Sequence, residues 1–333
     1  MTFLKSIVTG GAGFIGSHLV DLLLGLGHEV HVIDNFSGGH RSNLEHNSQN
    51  PRLKIHACDI TEIGRHLEVF ENALYVFHLA GIGDIVPSIE KPLDYFNTNV
   101  QGTVNVLEAS RLSGVQRFVY AASSSCYGLA NYPTDESAQI QPLYPYAMSK
   151  FMGELAAFHW QRVYGLEVNS VCIFNAYGPR VRTTGAYGAV FGVFLKQKLS
   201  EKPFTIVGDG SQKRDFIYVT DVAKAFWLSA ISPNYGERFN IGAGNPRSVN
   251  ELVEILGGES IHLPKRPGEP DITFADISKA RKILKWEPEI DFLTGVNMMM
   301  EKISDWENAP LWEPHNIAIA TKNWFRYMSN SLK

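Results

Sequence analysis

The chain has 333 residues, 44% hydrophobic, 11% aromatic and 19% charged, with 30 basic against 34 acidic side chains and a net charge of −4. That length predicts about two domains, or one large α/β unit with an appended lobe. The composition is that of a soluble globular protein. It excludes a nucleic-acid binder built on a basic stripe, and no apolar run is long enough to cross a membrane. The three cysteines, Cys58, Cys126 and Cys172, have no CxxC spacing. They predict buried thiols in a reducing compartment, with no disulfide framework and no metal site. The N-terminus runs straight into an apolar strand, which leaves no room for a signal peptide and predicts a cytoplasmic protein.

In chain order, Ser6–Thr9 reads as a short buried strand, followed by a glycine cluster over 10–16 and a helix over Ser17–Leu26. Strands follow at Glu29–Asp34, Leu53–Cys58 and Leu74–Leu79. A long helix is expected over Pro92–Leu112, then a fifth strand over Arg117–Ala122. Another long helix should cover Tyr146–Tyr164, and a strand Val168–Phe174. Short apolar strands alternating with amphipathic helices imply a doubly wound parallel sheet of Rossmann type. After Asn175 glycines and prolines become denser. Helices over Gly188–Leu199, Val219–Ala230 and Val249–Leu256 alternate with short strands. We expect a dinucleotide domain over 1–175 and a smaller, interleaved substrate lobe mainly over 176–333. The aromatic-rich end, from Trp306, should be a terminal helix packed back on the body.

Gly10, Gly13 and Gly16 fit G-x-x-G-x-x-G between a strand and a helix. Such glycines permit a tight turn and close approach of backbone to a pyrophosphate, which the helix N-terminus then faces. Phe14 and Ile15 lie within this loop. The second strand ends in Asp34, 18 residues after Gly16. A carboxylate there accepts from both ribose hydroxyls and repels a 2′-phosphate, which favours NAD over NADP; nearby Arg41 tempers that preference.

Tyr146 and Lys150 stand at i and i+4, on one helical face. A phenol is a poor base at its free pKa near 10, and an adjacent cation favours the phenolate. Ser123 ends the fifth strand 23 residues upstream. In open α/β sheets that is the end where ligands bind, and a hydroxyl there suits a proton relay.

These residues resemble the extended short-chain dehydrogenase/reductase family, specifically its nucleotide-sugar epimerase branch, over about residues 4–305. The resemblance rests on GGAGFIG (10–16), DN (34–35), DI (59–60), HLAG (78–81), NVQGT (99–103), SSSCYG (123–128), Y-x-x-x-K (146–150), FNAYGPR (174–180), GDGSQKRDFIYVTDV (208–222) and RPGE (266–269). It implies that Asn35, Asp59 and Ile60 lie at the adenosine end, Leu79 and Ala80 line the dinucleotide, and Asn99 supports the nicotinamide side. It implies Tyr146 as base, Lys150 as the group that holds the nicotinamide ribose and depresses the Tyr146 pKa, and Ser123 as the active-site hydroxyl. Ser124 and Asn175 would contact substrate, Arg214 and Arg266 would grip its two phosphates, and Glu269 would accept from the nucleotide ribose.

Dehydratases of the family carry Asp-Glu where this chain has Ser124 and Ser125, and decarboxylases keep a Glu at Ser125. The 3,5-epimerase branch has its cysteine one position before Cys126. The resemblance therefore implies NAD-dependent 4-epimerisation of a UDP-sugar. UDP-N-acetylglucosamine or UDP-glucose ranks first and UDP-glucuronate next, ahead of a dehydratase or decarboxylase. Small Thr273 occupies the position that limits the sugar pocket. The Gly185–Tyr187 segment is similar to the N-acetylhexosamine branch. Arg182 sits where uronate enzymes place a carboxylate-binding arginine. One departure is Cys172, where the family often has arginine. A homodimer pairing the 92–112 and 146–164 helices is also implied.

Overall fold

The computed structural model describes residues 4–65, 67–182 and 189–331. Strand β1 (Lys5–Thr9) leads into helix α1 (Phe14–Gly25), β2 (Glu29–Asp34), β3 (Leu53–Ala57) and β4 (Tyr75–His78). Then come α2 (Pro92–Phe96), a π-helical turn (Asn97–Gly102), α3 (Thr103–Leu112), β5 (Arg117–Ser123), α4 (Pro145–Tyr164) and β6 (Glu167–Ile173). These strands and one from the second half form a seven-stranded parallel sheet. Its order is β3-β2-β1-β4-β5-β6 and then β11 (Glu237–Ile241). Val8, Val32, Phe77, Phe118, Val119, Val171 and Phe239 are fully shielded within its core, as a sheet covered on both faces requires. The chain reverses its winding between β1 and β4, and their carboxyl ends open a crevice there.

The remaining elements are β7 (Asn175–Tyr177), α5 (Val190–Leu199), β8 (Phe204–Val207), β9 (Lys213–Arg214), β10 (Phe216–Tyr218), α6 (Val219–Ile231), β12 (Arg247–Ser248), α7 (Val249–Leu256), β13 (Ser260–Leu263), α8 (Phe292–Glu301) and α9 (Pro314–Ser331). Helix α6 packs on α1 against the main sheet. The other pieces enclose a second core, with Phe194, Phe204, Leu252 and Trp306 at its centre. The Tyr177 and Phe191 rings stack there with centroids 4.6 Å apart. Strands pair two by two: β7 with β10, β8 with β13, and β9 with β12.

The expected strands appear within a residue or two, and all three cysteines are buried and free. Two helices differ. The path over 92–112 is interrupted by the π turn. There Thr103 Oγ1 donates to the Asn99 carbonyl at 2.7 Å, and Gly102 sits so close to Ile60 that a Cβ would meet its Cδ1 at 2.6 Å. A π turn commonly marks a functional site, and this one turns Asn99 inward. The aromatic-rich end forms a short turn over Ile303–Trp306 before α9 begins at Pro314. Gly188, the expected start of α5, and the Gly185–Tyr187 segment lie outside the described residues.

Candidate active site

The glycine loop is shaped by contacts that no side chain tolerates. Gly10 has φ +69°, and a Cβ on it would lie 2.7 Å from the Ala80 nitrogen. A Cβ on Gly16 would lie 2.1 Å from the Gly10 carbonyl oxygen. The α1 N-cap is Gly13, which offers no side-chain acceptor to the first N–H groups. Ala12 N–H donates to Asp34 Oδ2 at 2.9 Å and Phe36 N–H to Oδ1 at 2.8 Å. The carboxylate thus fixes the loop and the turn while keeping lone pairs to spare. Burial pushes Asp34 up from the usual carboxylate range and these backbone donors pull it partly back. Asn35 Nδ2 donates to Asp59 Oδ2 at 2.7 Å, and Thr61 caps the other Asp59 oxygen. Ile60 is buried beside Gly102. Arg41 lies over the Phe36 ring at 4.1 Å, which engages its cation locally. Phe14 packs against the second core, and Ile15, half-buried, packs against both cores. A dinucleotide fits this cradle: glycines at the close approaches, uncapped helix N–H groups and a carboxylate at the end of β2.

Behind the loop, buried His78 bridges two threonines. The Thr103 hydroxyl proton is committed to Asn99, so its oxygen accepts from His78 Nε2–H at 2.9 Å. Bare Nδ1 then accepts from Thr9 Oγ1 at 2.7 Å, whose oxygen takes the Ala80 N–H at 3.2 Å. Burial, with the nearby Lys150 cation, pulls His78 down to about 3, so it stays neutral. Leu79 N–H donates to Thr9 O at 3.1 Å and places the Leu79-Ala80 backbone against the glycine loop. Asn99 Oδ1 accepts from Ile82 N–H at 2.8 Å, and its Nδ2 donates to Ser149 Oγ at 2.9 Å. It therefore ties the loop after β4 to α4.

Ser123, Tyr146 and Lys150 converge at the carboxyl end of β5. Gly153 lets α4 approach the sheet, since a Cβ there would meet Tyr120 Oη at 2.4 Å. Tyr120 Oη donates to the Lys150 carbonyl at 2.9 Å. The Ser123 hydroxyl lies close enough to the Tyr146 phenol to favour its phenolate. Burial pushes Tyr146 well above its ordinary pKa, while Ser123 pulls it down. Lys150, expected to depress it, is not among the main influences on Tyr146 in the protein alone. Burial also pulls the Lys150 ammonium down to about 8, against Cys126 and Glu154, which favour its charge. Its Nζ lies 4.6 Å from the Tyr120 ring centroid, beside Gly81.

Across the crevice, Thr273 Oγ1 donates to Asn175 Oδ1 at 2.8 Å and accepts from Asp215 N–H at 3.2 Å. Asp215 itself accepts from Ala243, Gly244 and Ala275 N–H groups, joining three loops. Arg266 Nε lies 3.1 Å and Arg214 Nη2 3.9 Å from the Glu269 carboxylate. Two guanidiniums thus flank one carboxylate, a charge balance suited to a pyrophosphate with two placed arginines. Arg182 Nη1 meets Asp84 Oδ2 at 3.0 Å, so its charge is answered from within the chain.

Several residues of the site carried no sequence signal. Tyr144 lies beside Ser125, while Ser124 sits half-buried in the same turn (Ser124–Tyr127). The Tyr95 ring meets Tyr146 edge-on, with centroids 6.4 Å apart, and its hydroxyl donates to the Asp84 carbonyl at 2.6 Å. Arg238 pairs with buried Glu154 through Nε at 2.8 Å, beneath α4. Among the described residues no cluster of ligands could hold a metal ion, and no helix is long and apolar enough to cross a membrane.

A seven-stranded parallel sheet with this glycine loop and a Ser-Tyr-Lys cluster at its carboxyl edge defines a Rossmann-type dinucleotide enzyme. The sequence profile of the NAD dependent epimerase/dehydratase family matches residues 6–242, and the chain belongs to that family. Its cofactor is NAD. A putative UDP-glucose 4-epimerase from Methanocaldococcus jannaschii is 38% identical over 303 residues, 88% of this chain and 96% of the relative. The structure is similar to a UDP-N-acetylglucosamine 4-epimerase from Methanobrevibacter ruminantium in complex with UDP-N-acetylmuramic acid: TM-score 0.84, 32% identity, 91% of this chain and 100% of that one. It is equally similar to a UDP-glucuronic acid 4-epimerase from Bacillus cereus in complex with UDP-glucuronic acid and NAD: TM-score 0.84, 31% identity, 91% and 99% covered. Similarity therefore does not choose among the three sugars.

Proposed function

We propose that the chain inverts C4 of a UDP-sugar, with UDP-glucose or UDP-N-acetylglucosamine as substrate. The observation that carries this reading is the closeness of the Ser123 hydroxyl to the Tyr146 phenol at the end of β5, next to a turn, Ser124–Tyr127, without a carboxylate. Tyr146 takes the proton of the sugar 4-hydroxyl, through Ser123, and later returns it to the other epimer. NAD+, when bound, supplies the acceptor for the C4 hydride, the donor for its return, and a positive charge that favours the phenolate. Lys150 holds the nicotinamide ribose. Arg214 and Arg266 anchor the diphosphate with Glu269 on the nucleotide ribose, while Asn175 and Thr273 border the sugar. Strong contacts at the nucleotide and weak ones at the sugar let the 4-keto group turn over. Ser124 and Ser125 leave no acid to expel the C6 hydroxyl, which disfavours a dehydratase. The Arg182–Asp84 pair favours a neutral sugar over UDP-glucuronate, since its guanidinium already has an anion.

The same reading includes a homodimer. Met148, Met152, Leu155 and Val163 form an exposed apolar stripe along α4, and Leu112 of α3 is exposed as well. A second copy would cover it, and sedimentation as a monomer at micromolar concentration would overturn this. The functional reading is tested by NMR of the purified protein with UDP-glucose, UDP-N-acetylglucosamine and UDP-glucuronate, without added cofactor. C4 inversion of a neutral sugar supports it. Elimination of water, release of CO2 or turnover of the uronate alone overturns it.

A further inference from the structure

Helix α9 lies at the end of the chain, yet it touches the site at three places. Its buried residues, Ile317, Thr321, Trp324 and Met328, fall at i, i+4, i+7 and i+11, one continuous helical face. The first turn is anchored in the second core through Ile317. The loop before it is held by Gln197 Nε2, which donates to the Trp312 carbonyl at 2.6 Å. From there the helix crosses to the catalytic side. The Trp324 ring packs on Tyr144 with centroids 5.3 Å apart, and Tyr144 lies beside Ser125, two residues after Ser123. Trp324 Nε1–H donates to the Pro267 carbonyl at 2.9 Å, between Arg266 and Glu269. Next to it, Asn323 Nδ2 donates to Glu90 Oε1 at 2.8 Å, behind the loop that carries Asp84.

We infer that Trp324 is a positioning residue: one indole joins the serine turn to the loop that carries Arg266 and Glu269, and so sets the affinity for the nucleoside diphosphate part of the substrate. The indole is fully buried, and a tryptophan N–H has only a donor to offer, so its bond to Pro267 is directional. The carbonyl it holds is one residue from Arg266 and two from Glu269. A loop freed at that point must be ordered again each time a diphosphate binds, which weakens binding. The reacting hydroxyls of Ser123 and Tyr146 are not touched by Trp324, so the chemical step is spared.

This inference rests on the nucleotide-sugar reading, and its test separates the two. Trp324→Phe keeps an aromatic ring on Tyr144 and removes only the donor to Pro267; Trp324→Ala removes both. UDP affinity is measured by calorimetry, KM and kcat by NMR of epimerisation, NAD content by absorbance and thermal midpoint by fluorescence. For Trp324→Phe we expect UDP affinity weakened and KM raised by about tenfold. NAD content and kcat should stay within about twofold, with a larger loss of UDP affinity in Trp324→Ala. If Trp324→Phe binds UDP as the parent does, or if the loss of affinity merely follows a fall in thermal midpoint and NAD content, the positioning role is wrong, whatever the reaction. If the parent binds UDP but epimerises nothing, the proposed reaction fails, while the tenfold UDP difference still upholds the role of Trp324.

Discussion

The cofactor half and the substrate half of the crevice are built on different principles. On the cofactor side, the polar groups nearest the glycine loop hold backbone, beside side-chain links such as Asn35–Asp59: Asp34 holds Ala12 and Phe36, Asn99 holds Ile82, and Thr9 holds Ala80. On the substrate side Asp215 and Arg214 also engage backbone, but more of the polar side chains hold one another: Arg214 and Arg266 with Glu269, Thr273 with Asn175, Arg182 with Asp84. Backbone partners make a rigid, preformed cradle, which suits a cofactor that is retained. Side-chain partners can be exchanged for groups of a ligand, which suits a substrate that arrives, turns and leaves.

The largest effect should come where the halves meet. Tyr146→Phe removes the proposed proton acceptor and leaves the groups proposed to hold the two ligands in place. We expect kcat to fall by about 10²–10⁴-fold with NAD content unchanged. Near-normal turnover by NMR would sink the mechanism. Gly10→Ala attacks the rigid side. Its Cβ would press on the Ala80 backbone at 2.7 Å in a left-handed conformation, so we expect a loss of about 1–3 kcal/mol, read as a lower thermal midpoint and weaker NAD retention. Unchanged NAD content and midpoint would show that the cradle is softer than described.

The same rigidity makes the cofactor side acid-sensitive. His78 is held neutral by burial down to about pH 3, while an unfolded histidine protonates near 6.5. Between those values the unfolded chain binds the extra proton, so stability is full above about pH 6.5 and falls as pH drops, by about 1.4 kcal/mol per unit from this group. Buried His18, pulled down to about 4 chiefly by burial, adds to the slope. His78→Gln should flatten the fall in denaturant stability between pH 6 and 4 by about one proton. An unchanged slope would remove His78 as the cause.

The two halves also differ in what sequence reading reveals. The glycine spacing, Asp34 at a strand end and the Tyr146/Lys150 pair are local patterns, and a local pattern implies its geometry. The fold was legible for the same reason: strand and helix periods lie within short windows. The pairs Arg182–Asp84 and Thr273–Asn175 join residues 98 apart, and Trp324 reaches Tyr144 and Pro267 from the last helix. No spacing announces such contacts. The Tyr146 phenol is a similar case: its helical neighbour Lys150 is visible in the sequence, but the burial that pushes its pKa up is not. The π turn at Asn99 escaped too, because Thr103 and Gly102 bend the helix through contacts made elsewhere.

Thr273→Tyr probes how exchangeable the sugar side is. It removes the hydroxyl from Asn175 and adds volume at the sugar's edge. UDP-N-acetylglucosamine should lose about tenfold more kcat/KM than UDP-glucose. Equal losses would mean that Thr273 serves Asn175 alone and does not gate the sugar.

The smallest change tests the exchange itself. Asp84 and Arg182 form a half-exposed pair at 3.0 Å. Burial pushes the Asp84 carboxyl up while Arg182 holds it down. A pair this open is worth at most about 1 kcal/mol, so breaking it should cost little stability. Asp84→Asn keeps the shape and leaves Arg182 without its anion. The freed guanidinium should then accept the carboxylate of UDP-glucuronate, raising its kcat/KM relative to UDP-glucose by about three- to fivefold. If the ratio stays fixed, Arg182 does not reach the sugar, and the choice between neutral and acidic sugars is made elsewhere in the crevice. If it rises, one internal carboxylate is what keeps this site for neutral sugars.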